Sequence, residues 1–282
     1  QRQKEILVEV SAAINMSSHL DEMCIHAAGQ IARLFEIPAK FVCVYLYDPR
    51  SQELRLVAPV LPDTALPHES VFVGTVTRAS ELAEELKKAH GIQVNVIAAD
   101  LMDPGAPRAI VAEVQRLGLQ IDFLVNNAGF GTSGKFWELD AEKERGMLEV
   151  NITALVVLSR AFLPDMVKRG KGRILNIGST AGFQPGPYMS GYYASKAFVN
   201  SFTEGLAYEL QGTGVTATVS CPGATATEFA QVAGTDKSRL FAMGAMSAPE
   251  VAAEGYRAML AGKPMAVHGL KNKLTAMSSA FT

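Results

Sequence analysis

Residues 94–127 read VNVIAADLMDPGAPRAIVAEVQRLGLQIDFLVNN, and the order of elements in this stretch decides the fold. The run Val94 to Asp100 is strand-like, and turn residues follow through Pro104 and Gly105. Pro107 to Leu117 then spaces apolar residues at helical intervals, and Asp122 to Asn127 is strand-like again. Strand, helix, strand at this length is the βαβ unit, whose crossover makes the two strands parallel.

The alternation extends in both directions. Upstream, LAEELKKAH (82–90) is helical. Downstream come a long helix from Glu142 to Lys168, the strand RILNIG (173–178), a helix from about Ser190 to Leu210, and the strand Val215 to Ser220. A helix opened by the capping box Ser247-x-x-Glu250 and a short strand, Met265 to His268, complete the pattern. The expected fold class is α/β: a doubly wound, Rossmann-like, mostly parallel sheet.

Residues 1–80 follow another rhythm. Apolar spacing predicts amphipathic helices over 4–15 and 19–35. FVCVYLY (41–47) and ELRLVAPV (53–60) flank the turn residues Asp48-Pro49-Arg50-Ser51-Gln52, which predicts a hairpin. Helix, helix, hairpin, then Ser70 to Val76, resembles the first half of a GAF domain, a ligand-sensing module. The reading therefore divides the chain into a GAF-like α+β segment, 1–80, that replaces the first βαβ unit, and an α/β domain, 81–282.

Composition narrows the function. The 282 residues are 48% hydrophobic and 19% charged with a formal net charge of −2, which leaves no broad cationic face for a phosphate backbone and excludes nucleic acid as an expected partner. Cys24, Cys43 and Cys221 lack metal-ligand or pairing rhythm, and a reduced, cytoplasmic setting is expected. The five histidines show no paired spacing, so no metal is expected. No uninterrupted apolar stretch of the roughly 18 to 20 residues needed to cross a bilayer is evident, and neither a membrane nor a signal segment is expected.

The chemistry centres on Tyr192-Tyr193-Ala194-Ser195-Lys196. Tyr192 and Lys196 stand four apart and share a helix face, where an ammonium stabilises a phenolate. A free tyrosine titrates near pH ~10, so such help is needed for proton exchange near neutrality. Ser179 follows RILNIG directly, at the carboxyl edge of the sheet, where open α/β proteins bind ligands. Together with Asn176-Ile177-Gly178-Ser179-Thr180-Ala181-Gly182, Asn126-Asn127-Ala128-Gly129, Asn151 and Pro222-Gly223-x-Thr225-x-Thr227, these residues make 81–282 resemble a short-chain dehydrogenase/reductase.

That resemblance implies hydride transfer between a nicotinamide and a carbonyl or secondary alcohol. Tyr192 would be the acid/base and Ser179 would orient the oxygen. Lys196 would hold the ribose and tune Tyr192, and Asn151 would hold a water that links Lys196 to solvent. Asp100 would contact the adenine, Asn127, Ala128 and Gly129 would lie under the adenosine half, and Pro222, Gly223, Thr225 and Thr227 would frame the carboxamide. The cofactor would be NADP or NAD, with Arg78 tilting the choice towards NADP. The substrate would be a small carbonyl or alcohol, hydrophobic in view of a lid-like stretch from Phe229 to Met246. Helices 142–168 and 190–210 would pair in a homodimer.

The sequence departs from that family at its start, where a Thr-Gly-x-x-x-Gly-x-Gly turn would hold the cofactor pyrophosphate. Here FVCVYLY runs into Asp48-Pro49-Arg50, with no glycine and a proline that lacks an N–H. Gly129 to Gly134 imitates G-x-G-x-x-G, but the acid at the expected distance, Glu149, lies inside a helix rather than at a strand end. FVCVYLY or ELRLVAPV is expected to take the place of strand one and VFVGTV (71–76) that of strand two, because a central sheet edge left bare invites aggregation. The alternative is a catalytically silent or chimeric protein, with a GAF-like ligand- or partner-binding segment on a dehydrogenase scaffold.

Overall fold

The computed structural model describes residues 41–44, 69–74, 88, 93–226, 246–269, 272, 273 and 276; residues 41–44, 69–74, 93, 94 and 226 are described by their backbone alone. In chain order its elements are β1 (Phe41–Val44), β2 (Glu69–Gly74), β3 (Gln93–Ala98), α1 (Ala106–Arg116), β4 (Phe123–Asn126), α2 (Ala141–Leu148), a π-helical turn (Glu149–Ala154) and α3 (Leu155–Arg169). Next come β5 (Gly172–Ile177), α4 (Ser190–Glu209), β6 (Val215–Cys221), a short pair β7 (Thr225–Ala226) and β8 (Met246–Ser247), α5 (Ala248–Leu260) and β9 (Met265–Val267). Short 3-10 turns stand at Phe136–Glu138 and Thr180–Phe183.

Seven strands form one sheet in the order β3-β2-β1-β4-β5-β6-β9, with every junction parallel. Helices cover the sheet, so β4 is buried along its whole length and carries no polar alternation. Ile110 and Val114 of α1, Leu158 and Met166 of α3, and Leu124 and Ile174 of the strands meet in the core, each at most 1% exposed. The capping box of α5 is complete: Ser247 accepts from the Glu250 N–H while the Glu250 carboxylate accepts from the Ser247 N–H.

Two expectations change. Both edges of Phe41–Val44 are taken by parallel neighbours, β2 and β4, which leaves this strand no edge for an antiparallel hairpin partner. It stands where strand one was expected, with Glu69–Gly74 beside it in the place of strand two. The expected helices 4–15 and 19–35 and the limb 53–60 lie outside the described residues, as does Arg78.

The helix expected over 142–168 spans Ala141 to Arg169 and is interrupted by the π-turn that contains Asn151. Length and composition would also let this run cross a membrane, although Glu149 and Arg160 interrupt its apolar residues. Its apolarity has a packing cause: Leu155, Leu158, Phe162 and Met166 are buried against the fold.

A close crossing fixes the base of the sheet. Gly214, just before β6, has φ 78°, and a Cβ there would stand 2.1 Å from the Gly170 carbonyl oxygen. Gly214→Ala combines left-handed strain with a backbone clash, and urea unfolding is expected to show a loss of about 3 kcal/mol or more. An unchanged midpoint would refute this reading.

Candidate active site

The register of the parallel strands brings three loops to one rim. Asn126 pairs with Asn176, Ile177 with Ser220 and Cys221 with Val267, so β4, β5, β6 and β9 end together. Asn127 to Gly129, Gly178 and Ser179, and Pro222 to Thr225 therefore leave the sheet side by side. The Gly178 N–H donates to Ser220 O at 2.9 Å, the Thr180 N–H donates to Pro222 O at 2.9 Å, and the Ser179 hydroxyl donates to Pro222 O at 3.4 Å.

α4 lays its inner face along this rim. Tyr192, Lys196, Asn200 and Thr203 recur at helical spacing on that face, and none is more than 8% exposed. The Tyr192 hydroxyl is hydrogen-bonded to Ser179. The Lys196 ammonium donates to Ile177 O at 2.7 Å and lies 5.9 Å from the centre of the Tyr192 ring. Serine, tyrosine and lysine thus stand together at the rim.

Their protonation states differ from the sequence expectation. Burial pushes the Tyr192 phenol up to about 12, against a smaller lowering by the Ser179 hydrogen bond. Burial likewise pulls Lys196 down to about 8. Desolvation is thus the largest influence on both groups, and it favours the neutral form of each. The site holds a neutral phenol at neutral pH.

Asn151 is joined to the loop after β4. Its side chain accepts from the Phe130 N–H at 3.1 Å and donates to Phe130 O at 3.0 Å and to the Ser195 hydroxyl at 3.0 Å. Both amide hydrogens are committed, so a water held here would turn to a carbonyl of the surrounding π-turn or to the remaining lone pair of Oδ1. Gly129 lies against this pair: a Cβ on it would stand 3.2 Å from Asn151 Oδ1 and 3.3 Å from Lys196 Nζ.

The other predicted contacts are more dispersed. Asp100 is exposed at the carboxyl end of β3, three strand positions from β4, and accepts from the Met102 N–H at 2.9 Å in a local turn. Asn127 and Ala128 are half-buried at the end of β4, and the Thr225 hydroxyl donates to Gly223 O at 3.0 Å. Thr227 and the lid stretch up to Ala245 lie outside the described residues. A cleft of about 600 Å³ opens on the opposite face of α4, against Phe183, Pro185, Tyr193, Ala194 and Ala197, and the groups on the inner face do not line it.

Sequence reading missed the supports. Asn200 donates to Ser179 O at 3.1 Å and accepts from the Cys221 thiol at 3.4 Å; its signal was the spacing of four from Lys196. Asn126 donates to Asn176 at 2.8 Å and to Ser159 at 3.1 Å, and Asn176 donates to Thr203 at 2.9 Å, a buried polar ladder from sheet to helices just below the rim. Behind β6, His268 bonds Ser220 and Glu254 at 2.7 Å each, with Ser220 only 1% exposed. A Cβ on Gly255 would lie 2.9 Å from the Ser220 hydroxyl, so this trio has no space for a substrate and works as a strut.

A family model described as short chain dehydrogenase matches residues 68–238, more than half of the chain. Sulfoacetaldehyde reductase 2 of Chromohalobacter salexigens is 38% identical over 157 residues, which cover 55% of this chain and 62% of that protein. The NADP-dependent 3-hydroxy acid dehydrogenase of Escherichia coli K12 is 37% identical over 167 residues, 58% of this chain and 66% of that one. The chain spans about three fifths of the length of the curated relatives it matches. Among solved structures, a short-chain dehydrogenase from Sphingobium yanoikuyae in complex with NADPH superposes with a TM-score of 0.67 at 32% identity, covering 76% of this chain and 84% of that one.

Proposed function

Because the chain belongs to the short-chain dehydrogenase family, we propose that it interconverts a carbonyl and a secondary alcohol, with NADP or NAD as cofactor and NADP preferred. The observation that carries this reading is the buried set at the rim: Tyr192 bonded to Ser179, with Lys196 on the same helix face.

The nicotinamide and ribose half of the cofactor fits these residues. Gly129, lacking a Cβ, leaves room beside Lys196 and Asn151, and Lys196 offers a donor and Thr225 a hydroxyl oxygen at the rim. Asn127, Ala128, Pro222, Gly223 and Thr227 complete the proposed cradle, with Asp100 at the adenine end. The bound cofactor supplies or accepts the hydride. In the reductive direction, Ser179 orients the substrate oxygen by a hydrogen bond and Tyr192 gives its phenolic proton to that oxygen as charge develops on it. Lys196 then stabilises the phenolate that remains, and the Asn151 turn returns a proton through water.

A proton held as tightly as that of Tyr192 favours this acid role. Ketone reduction is expected to stay flat between pH 6 and pH 8, whereas alcohol oxidation, which needs the deprotonated phenol, climbs about tenfold per pH unit. Steady-state rates in both directions check this, and a flat oxidation profile removes Tyr192 from the role of base.

The proposal extends to a hydrophobic substrate, a homodimer and a cytoplasmic setting. The apolar residues Leu148, Val167, Phe198 and Tyr208, exposed on α2, α3 and α4, support pairing through those helices. One observation favours a second reading, a silent or chimeric scaffold with a GAF-like front segment: the residues after β1, Tyr45 to Gln52, contain no glycine to cradle a pyrophosphate. Fluorescence titration with NADPH and NADH, followed by ketone reduction, separates the two. Micromolar binding with turnover supports the enzyme, and no binding of either at millimolar concentration supports the scaffold.

A further inference from the structure

α4 carries the proposed acid/base in its first turn, yet this helix has no cap of its own. Met189 at the N-cap makes no side-chain capping bond, and no acidic residue stands in the first turn. A carboxylate from another helix lies beside that turn. Glu144 of α2 accepts a hydrogen bond from the Thr132 hydroxyl, and its Oε2 lies 2.6 Å from where a Cβ on Gly191 would stand. Gly191 immediately precedes Tyr192, so the absence of a side chain there admits the carboxylate against the turn that holds the phenol. An anion at this end of a helix is stabilised by the aligned peptide dipoles and unpaired N–H groups.

Thr132 is 4% exposed and belongs to the same loop as Gly129, which borders Lys196 and Asn151. A second tie joins the same two segments: the Gly134 N–H donates to Tyr188 O at 2.9 Å. Tyr188 holds φ 65°, a strained value for a non-glycine residue, at the approach to α4. The loop after β4 and the start of α4 thus meet at two points, Tyr188 just before the helix and, through Glu144, Gly191 within its first turn.

We infer that Glu144 is a positioning residue for Tyr192, which latches the first turn of α4 to the loop after β4 and so sets the direction of the phenol. The inference rests on the reading of Tyr192 as the acid/base. Glu144 touches neither the phenol nor the reacting atoms in the proposed scheme; it acts through the backbone of Gly191.

Glu144→Gln removes the negative charge while keeping an oxygen that can accept from Thr132, and Thr132→Val removes the hydroxyl partner at nearly constant volume. In both variants kcat for ketone reduction is expected to fall about tenfold, in keeping with the steep dependence of rate on alignment. The ketone KM and the NADPH Kd stay within about twofold, a split that general loosening of the fold does not produce. Unchanged kcat in both variants overturns the inference, as does a parallel change of kcat, KM and Kd that tracks the folded fraction by circular dichroism. If Glu144→Gln does not fold, Thr132→Val decides. If the unsubstituted protein reduces no ketone, the proposed function fails. The latch is then read by NMR of the ¹³Cζ-tyrosine-labelled protein, in which the Tyr192 resonance, assigned by its loss in Tyr192→Phe, shifts in both variants. A resonance that does not move overturns it.

Discussion

Tyr192→Phe is expected to lower kcat for ketone reduction by about 10³-fold or more, the range spanned by loss of a positioned general acid. Fold and cofactor affinity should survive the change. The ring remains, 8% exposed at the face of α4, and only the hydroxyl and its bond to Ser179 disappear. The loss of one such neutral bond costs about 1 kcal/mol, small beside the effect on rate. Single-turnover rates and NADPH titration of the variant are the measurements. A variant that keeps more than about a tenth of the activity excludes Tyr192 as the proton donor.

Lys196→Met is expected to abolish turnover and, at neutral pH, to stabilise the fold. The ammonium is 5% exposed, and burial lowers its titration from its ordinary 10.5 to about 8. Because the folded value lies below the unfolded one, the unfolded chain binds a proton between about pH 8 and 10.5 that the folded chain releases. Stability attributable to this group therefore rises with pH through that window, and below pH 8 the buried charge costs about 3 kcal/mol. Methionine removes that cost, offset in part by loss of the bond to Ile177 O. Thermal melts should show the variant more stable at pH 7, with the difference shrinking as pH rises towards 10.5. A variant less stable at pH 7 would contradict the reading of a strained ammonium.

The elements from β3 onward were legible because each repeats a strong local signal. Apolar strands such as Leu124 and Val125 are punctuated by turns and answered by helices with one buried stripe. Tyr192, Lys196 and Ser179 were legible as well, since helical spacing and a strand end fix their placement without knowledge of the rest. The interruption of the 141–169 helix was not, because EVNITA differs little from ordinary helical sequence and its π-turn answers to tertiary demand, the bonds of Asn151 to Phe130 and Ser195. The balance of charge at the site escaped for a related reason. Spacing places an ammonium near a phenol but says nothing of how far both are removed from water, and here burial outweighs their proximity. The partner edges of Phe41–Val44 were hidden too, because hydrophobic alternation shows that a strand forms and not which neighbours it will join.

The turn at 149–154 also sets the phase of everything around it. A π-turn is equivalent to one extra residue in an α-helix, and one residue is about 100° of rotation. In an unbroken α-helix Met147 and Leu158, eleven residues apart, would lie within about 20° of each other, so the wide turn rotates the two halves of the run by about 100° relative to that alignment, and each half still buries its own apolar residues. Shortening the segment by a single residue would let ordinary helical turns join the same two halves in the same phase, while the bonds of Asn151 to Phe130 and Ser195 would be lost. Such a deletion would thus spare the hydrophobic interior and strike the proposed proton path alone.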